Sequence, residues 1–292
     1  LINKTSTLFL LITISALFFS PAIFSKDNNL PKVRSAKAIV VNQKTGEIIY
    51  EKSADSASSI ASLTKLMTAM VILDAGIDLN QEIKVTKADI DRIKRTGSRI
   101  PIGTKLTRYE LLEFALMASD NRAASALSRS YPSGRTGLID AMNVKAKQLG
   151  MFATEFKDPT GLHKDNISTA SDLVKMAQAA YQYPLIRKLT TEPQGEINYG
   201  KKNYKIGFVN TNRLVRKGVW EIGLSKTGFI RESGRCLVMQ AVVNNEPVIM
   251  VFLNSYGKLT RFADAKRVKR WMEQNYSRKN LVSRNETIKQ PF

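Results

Sequence analysis

A serine attacks a carbonyl only when a neighbouring base takes its proton. The chain has one histidine and one cysteine among its 292 residues, and an adjacent lysine amine can serve as that base when it is neutral. Two Ser-x-x-Lys spacings occur, at Ser62/Lys65 and at Ser255/Lys258. Around the first, Leu63, Leu66, Met67, Met70 and Val71 share one stripe at a 3.6-residue period, which predicts an amphipathic helix. Ser58 or Ser59 is expected to cap its start, and Gly76 stands just past its end. Hydroxyl and amine then sit side by side in the first turn, where helix N–H groups favour a developing oxyanion. Ser255 instead precedes a glycine after a β-rich run and reads as a strand-end turn.

Two further triplets carry groups suited to binding and proton transfer. Ser119-Asp120-Asn121 falls between two helix patterns, and by itself it is also what a capped helix junction uses. Lys226-Thr227-Gly228 falls in an extended pattern. There a cation and a hydroxyl suit a carboxylate, and a glycine lets a substrate backbone lie close to the strand. A second copy, Lys44-Thr45-Gly46, occupies a hairpin turn, where glycine serves the turn. The single His163 lies in a polar loop and is not expected to complete a Ser-His-Asp triad. Cys236 reads as a buried strand residue. One Cys and one His supply no Cys/His zinc site, so no metal or cofactor is expected.

The elements that must position these residues follow from patterning. Residues 38–41 and 47–50 predict a hairpin across 42–46, and the Ser62 helix follows. Residues 80–106 are mixed, with turns at Gly97 and Gly103. Thr107-Arg108-Tyr109-Glu110 is a capping box opening a helix, followed by helices over 122–129, 138–149 and from about 170 to 181, before Pro184. From about residue 196 strands take over: 204–209, 219–230, and a hairpin of 235–243 with 247–253. A last helix spans 259–276, and 278–292 reads as a disordered polar tail. Strands at both ends and helices between predict one sheet built by the two ends, with a helical insertion over about 75–195.

Residues 1–25 have another character. Lys4 is their only charge, residues 8–19 are an apolar run, and small residues follow. That is the pattern of a cleaved secretory signal peptide, and the run is short of the roughly 20 residues a membrane span needs. The remainder, 26–277, is expected to be one exported domain. The net charge is +20, and residues 258–289 hold ten Lys or Arg against three acids. Outside the cytoplasm such a field steers toward anionic wall polymers and membrane surfaces rather than nucleic acid.

Taken in order, Ser-x-x-Lys, Ser-Asp-Asn and Lys-Thr-Gly resemble the signature set of penicillin-recognising serine enzymes. Residues 112–124, Pro159-Thr160-Gly161-Leu162, Asn210-Thr211-Asn212-Arg213-Leu214-Val215 and 226–239 look like the low-molecular-mass penicillin-binding proteins. Within these the chain most resembles the D-alanyl-D-alanine endopeptidase branch, the penicillin-binding-protein-seven type, over about residues 32–276. The likeness implies an α+β fold of the penicillin-binding-protein/β-lactamase kind: an antiparallel sheet flanked by helices with an inserted all-helical subdomain. It implies Ser62 as nucleophile, Lys65 as base and Ser119 as proton relay. Asn121 would hold peptide or Lys65, and Lys226, Thr227, Gly228 and Phe229 would line the substrate site. The N–H groups of Ser62 and Phe229 would form the oxyanion hole. The implied substrates are peptidoglycan cross-links in a periplasm, the implied inhibitors β-lactams bound covalently, with peripheral contact to a membrane or other wall enzymes.

Three rivals are weighed against this reading. A class A β-lactamase needs a Glu-x-x-Leu-Asn loop, and the nearest stretch, residues 192–198, has the wrong spacing and lies too far beyond Ser119. A penicillin-binding sensor or wall-binding module would leave catalytic positions empty, and here all are filled. D-Alanine carboxypeptidases usually add a β-rich domain and an amphipathic anchor, which 278–292 cannot form. Cross-link cleavage is therefore the expectation, with carboxypeptidase action on pentapeptides as the alternative.

Overall fold

The computed structural model describes residues 30–200 and 202–287. The expected signal peptide, 1–25, lies outside the described residues. Residues 31–292 form one unit, and no helix among the described residues is long and apolar enough to cross a membrane.

The chain runs from β1 (Lys37–Asn42) and β2 (Ile48–Lys52) through β3 (Ser58–Ser59) and a 3-10 turn to α1 (Thr64–Asp74). Next come β4 (Glu82–Lys84), β5 (Lys105–Thr107), α2 (Arg108–Met117), α3 (Asn121–Arg129) and α4 (Gly134–Gln148). Then follow β6 (Ile167–Ser168), α5 (Ala170–Tyr181), α6 (Pro184–Thr191), β7 (Gln194–Tyr199), β8 (Tyr204–Val209) and α7 (Arg213–Lys217). The last elements are β9 (Ile222–Ile230), β10 (Gly234–Val243), β11 (Glu246–Ser255) and α8 (Thr260–Thr287).

The central sheet has the order β2-β1-β11-β10-β9 and is antiparallel throughout. β1 from the start of the chain pairs with β11 near its end, Ala38 opposite Phe252 and Val40 opposite Met250. The two ends thus build one sheet. Asn244 and Asn245, both at positive φ (52° and 62°), make the two-residue turn between β10 and β11, the backbone a tight hairpin demands.

Successive side chains of a strand point to opposite faces, and both faces of this sheet are covered. Ile39, Val41, Cys236, Val238, Ile249, Val251 and Leu253 join the core shared with α1 and α5. Ala38, Val40, Leu237, Met239, Met250 and Phe252 pack with Phe262, Ala265, Val268 and Met272 of α8. Helices, sheet and helix make three layers. Asp264 of α8 accepts the N–H groups of Arg34 and Ser35 and the Ser35 hydroxyl, pinning α8 to the segment before β1.

Several sequence expectations need correction. Every residue of α1 from Thr64 to Ile72 is buried, so the helix is enclosed on all sides, not amphipathic. Enclosure by α2–α6 leaves it no solvent face. Ser58 and Ser59 do not cap it: they pair with Ser168 and Ile167 as β3, and no side chain caps α1. Two helices went unread. α6 begins at Pro184, whose missing N–H costs nothing in a first turn, and α7 is capped by Asn212 and closed by Gly218 at φ 63°. α5 and α6 pack on the sheet, so they belong to its helical layer rather than to a separate insertion. Residues 194–209 form their own hairpin, β7–β8, outside the central sheet. α8 continues to Thr287, so the stretch from 278 to 287 is helical where a disordered tail was expected. No Gly or Pro interrupts that run before Pro291.

Candidate active site

Ser62 lies in the 3-10 turn Ala61–Leu63 that leads into α1. The i, i+3 spacing holds: Lys65 Nζ donates to Ser62 Oγ at 2.9 Å. The same amine reaches Asn121 Oδ1 at 2.7 Å and the Thr160 carbonyl at 2.6 Å. Lys65 is 1% exposed, and among the described residues its amine bonds these three oxygens.

The orientation of Asn121 decides what Lys65 can do. Asn121 Nδ2 donates to Thr96 Oγ1 at 2.8 Å, and that hydroxyl gives its own proton to Asp91 Oδ2 at 2.7 Å. Thr96 can therefore only accept from Asn121, which turns the amide oxygen toward Lys65. The Thr160 carbonyl is likewise an acceptor only. A neutral Lys65 thus keeps its two N–H bonds for Asn121 and Thr160, and its lone pair is left facing the Ser62 hydroxyl.

The opposite wall comes from the α2–α3 corner and β9. Ser119 adopts φ 60°, a left-handed conformation that a non-glycine residue holds only at a cost. Its hydroxyl accepts from Lys226 Nζ at 2.7 Å. Asp120 is the N-cap of α3, accepting from Ala123 N. The triplet is thus a capped junction that also presents Ser119 to Lys226 and Asn121 to Lys65. Thr227 Oγ1 donates to Thr211 Oγ1 at 2.7 Å, and Lys226 Nζ donates to the Thr227 carbonyl at 3.1 Å. Phe229 is half-exposed beyond them, with the Arg235 guanidinium 4.3 Å from its ring centroid.

Two glycines let backbone close around Ser62. A Cβ on Gly228 would lie 2.9 Å from the Ile60 carbonyl and 3.1 Å from Ser62 N. One on Gly161, at φ +83°, would lie 2.0 Å from the Ala61 carbonyl and 2.7 Å from Ser62 N. Between them Ala61 is itself at φ 48°. Strain of this kind gathers where surrounding structure over-determines a conformation, often at functional sites.

Electrostatics make both lysines unusual. Burial lowers the Lys65 pKa to about 8, against the pull of Asp158, Asp120 and Asp91. Burial also carries Lys226 well below the ordinary lysine value, and the charge on Lys65 pushes it further the same way. An amine that is substantially neutral near pH 8 is one that can act as a base.

The structure therefore joins Ser62, Lys65 and Asn121 in one hydrogen-bonded cluster and Ser119, Lys226 and Thr227 in a second. Gly228 lies against the Ser62 backbone. Ser255 is buried on β11, bonded to Ser35 Oγ at 2.7 Å, and Lys44-Thr45-Gly46 forms the β1–β2 turn. His163 accepts from the Asp165 N–H instead of meeting Ser62. Residues 192–198 end α6 and enter β7. Sequence reasoning missed Asp91, Thr96, Thr160 and Thr211 as parts of the site. Asp91-x4-Thr96 is an Asp-turn spacing common in loops, and a backbone carbonyl leaves no trace in residue type.

Comparison with known proteins bears on this cleft. Residues 24–257 match the family described as D-alanyl-D-alanine carboxypeptidase. A D-alanyl-D-alanine endopeptidase of Escherichia coli is 42% identical over 272 residues, covering 91% of this chain and 88% of that protein. One of Pseudomonas aeruginosa is 42% identical over 242 residues, covering 83% and 78%. A crystal structure of a Streptomyces DD-transpeptidase superposes with a TM-score of 0.77 at 28% identity, over 82% of this chain and 97% of that one.

Proposed function

Because this chain belongs to the D-alanyl-D-alanine carboxypeptidase family of serine DD-peptidases, we propose that it cuts D-alanyl peptide cross-links of peptidoglycan through an acyl-enzyme on Ser62. The observation that carries the reading is the pairing of Ser62 with a buried Lys65 whose other two acceptors are fixed, opposite a second buried lysine on Ser119.

Neutral Lys65 takes the Ser62 proton as Oγ bonds to the D-alanine carbonyl carbon. The oxyanion that forms is stabilised by the N–H groups of Ser62 and Phe229. Lys226 and Thr227 hold the carboxylate on the leaving side, and that anion favours the ammonium form of Lys226. As the C–N bond breaks, Ser119 gives its proton to the departing amine and is resupplied by Lys226. The two lysines together hold the same number of protons before and after. The extra proton on Lys65 then returns to Lys226, water attacks the acyl carbon as the neutral Lys65 takes its proton, and Lys65 hands that proton to Ser62 Oγ as the ester C–O bond breaks. A β-lactam would acylate Ser62 and remain, since its leaving group stays tethered. Such a reaction places the protein in the periplasm, exported by the segment 1–25, where its positive charge attracts it to anionic wall material.

The endopeptidase names of two relatives at 42% identity support cross-links as substrate, and the family description supports a carboxypeptidase as the second reading. Offering purified enzyme cross-linked muropeptide dimers beside monomeric pentapeptides separates them. Dimers should be split. Loss of terminal D-alanine from the pentapeptide with dimers left whole would make it a carboxypeptidase.

A further inference from the structure

A cavity of about 670 Å³ opens off the Lys226 end of the cleft, between the α2–α3 corner, residues 97–99 and the segment from Phe208 to Thr211. Ser119 and Thr211 both line it, and they bond Lys226 and Thr227 respectively. Its floor is apolar: Phe114 and Phe208 stack with ring centroids 4.1 Å apart. Its rim carries two guanidinium groups. Arg99 Nη1 donates to the Gly207 carbonyl at 2.6 Å, and Arg216 Nη1 donates to the Asn210 carbonyl.

These backbone bonds aim each guanidinium while using one of its five N–H donors. Among the described residues neither arginine forms an ion pair. The one acid lining the cavity, Asp120, is engaged as the cap of α3. Two exposed, acid-free forks above an aromatic floor match a ligand with an aliphatic stem and an anionic end, since guanidinium pairs with carboxylate in a planar, two-bonded geometry.

We propose that this cavity is a subsite for the peptide on the leaving side of the scissile bond, and that Arg99 and Arg216 bind a second carboxylate of that peptide. The inference rests on the cross-link-cleaving reading and extends it. The first carboxylate, beside the scissile bond, goes to Lys226 and Thr227; the stem crosses Phe114 and Phe208; the second carboxylate ends at the rim. A leaving group that is a single D-alanine has nothing to place there, so the subsite distinguishes a cross-linked acceptor from a terminal residue.

The test uses two branched D-alanyl peptides, identical except that the acceptor's second carboxylate is a free acid in one and a carboxamide in the other. The wild-type enzyme should favour the acid by about tenfold or more in kcat/KM, chiefly through KM. That preference should shrink as salt rises. The double variant Arg99→Gln/Arg216→Gln should bring the ratio close to one, and Arg99→Lys/Arg216→Lys should retain part of it. Equal cleavage of both peptides by wild type at low salt overturns the subsite, as does an undiminished preference in the glutamine variant. If wild type cleaves neither peptide, the cross-link reading itself fails and the subsite with it. Should the glutamine variant not fold, the wild-type ratio and its salt dependence still decide.

Discussion

Lys65 and Lys226 are two fully buried amines on opposite walls of one cleft, and among the described residues neither has a carboxylate within hydrogen-bonding distance. Each instead bonds a serine hydroxyl, with two further neutral oxygens for Lys65 and one for Lys226. A paired carboxylate would hold either lysine in its charged form. Without one, burial dominates, and both amines release a proton far more readily than an exposed lysine does.

The first prediction is a pH profile. Below pH 8 or so Lys65 is an ammonium and cannot take the Ser62 proton. Acylation by a penicillin should therefore rise about tenfold per pH unit up to that region and then level. Lys65→Arg, which keeps its charge, should not acylate anywhere below pH 9. A rate that is flat from pH 5 to 9 would rule Lys65 out as the base.

The same amine leaves a mark on stability. Its folded pKa of about 8 lies below the ordinary lysine value of 10.5. Between those values the unfolded chain binds more protons than the folded one, so stability rises with pH across that window. The full penalty, about 3 kcal/mol, applies below pH 8 and has gone above about 10.5. Denaturant titrations of wild type and Lys65→Met should differ by a pH-dependent amount of that size, and a difference constant with pH would contradict the assignment.

Nucleophile identity is tested by paired serine variants. Ser62→Ala should lose all covalent labelling by a fluorescent penicillin. Ser255→Ala should keep it and cost about 1 kcal/mol, the worth of one buried hydroxyl contact, because Ser35 retains its bond to Asp264. Label persisting on the Ser62→Ala protein would sink the site.

The two Lys-Thr-Gly copies give an internal control. Gly228→Ala must force β9 away from Ile60 and Ser62 and should reduce acylation at least about a hundredfold, since a shift near 1 Å has that effect. Gly46→Ala meets nothing within 4 Å and suffers only from its positive φ, at a cost of about 1–2 kcal/mol. Labelling rates and thermal midpoints of the two proteins should separate these effects. Equal labelling by both would mean that the close approach is irrelevant.

Thr96→Val tests the orientation of Asn121. Freed from Thr96, the amide can turn its Nδ2 toward Lys65, replacing an acceptor that stabilises the ammonium with a donor that does not. The acylation limb should move to lower pH with a slower plateau, and Thr96→Ser should restore both. A profile identical to wild type would show that Asn121 needs no help from Thr96.

The sequence by itself located the candidate site residues and most of the scaffold. A Ser-x-x-Lys at a helix start, a Ser-Asp-Asn at a helix junction and a Lys-Thr-Gly in a strand are local facts, readable because periodicity and capping act over a few residues. Strand-rich ends with helices between were enough to expect one sheet built from both ends. The enclosure of α1 was not readable, because its stripe of Leu and Met looks the same whether the other face meets water or α4. Only the tertiary structure decided that Asn121 points its oxygen at Lys65, since Asp91 and Thr96 act on it from a loop some 25 residues away. The sequence already set the Lys44-Thr45-Gly46 copy aside as a turn; what only the fold shows is that Gly228 is pressed against Ile60 and Ser62 while Gly46 meets nothing. The low proton affinity of Lys65 has the same origin: residue type sets the ordinary value, while burial among neutral oxygens, contributed by distant parts of the chain, sets the value that chemistry uses.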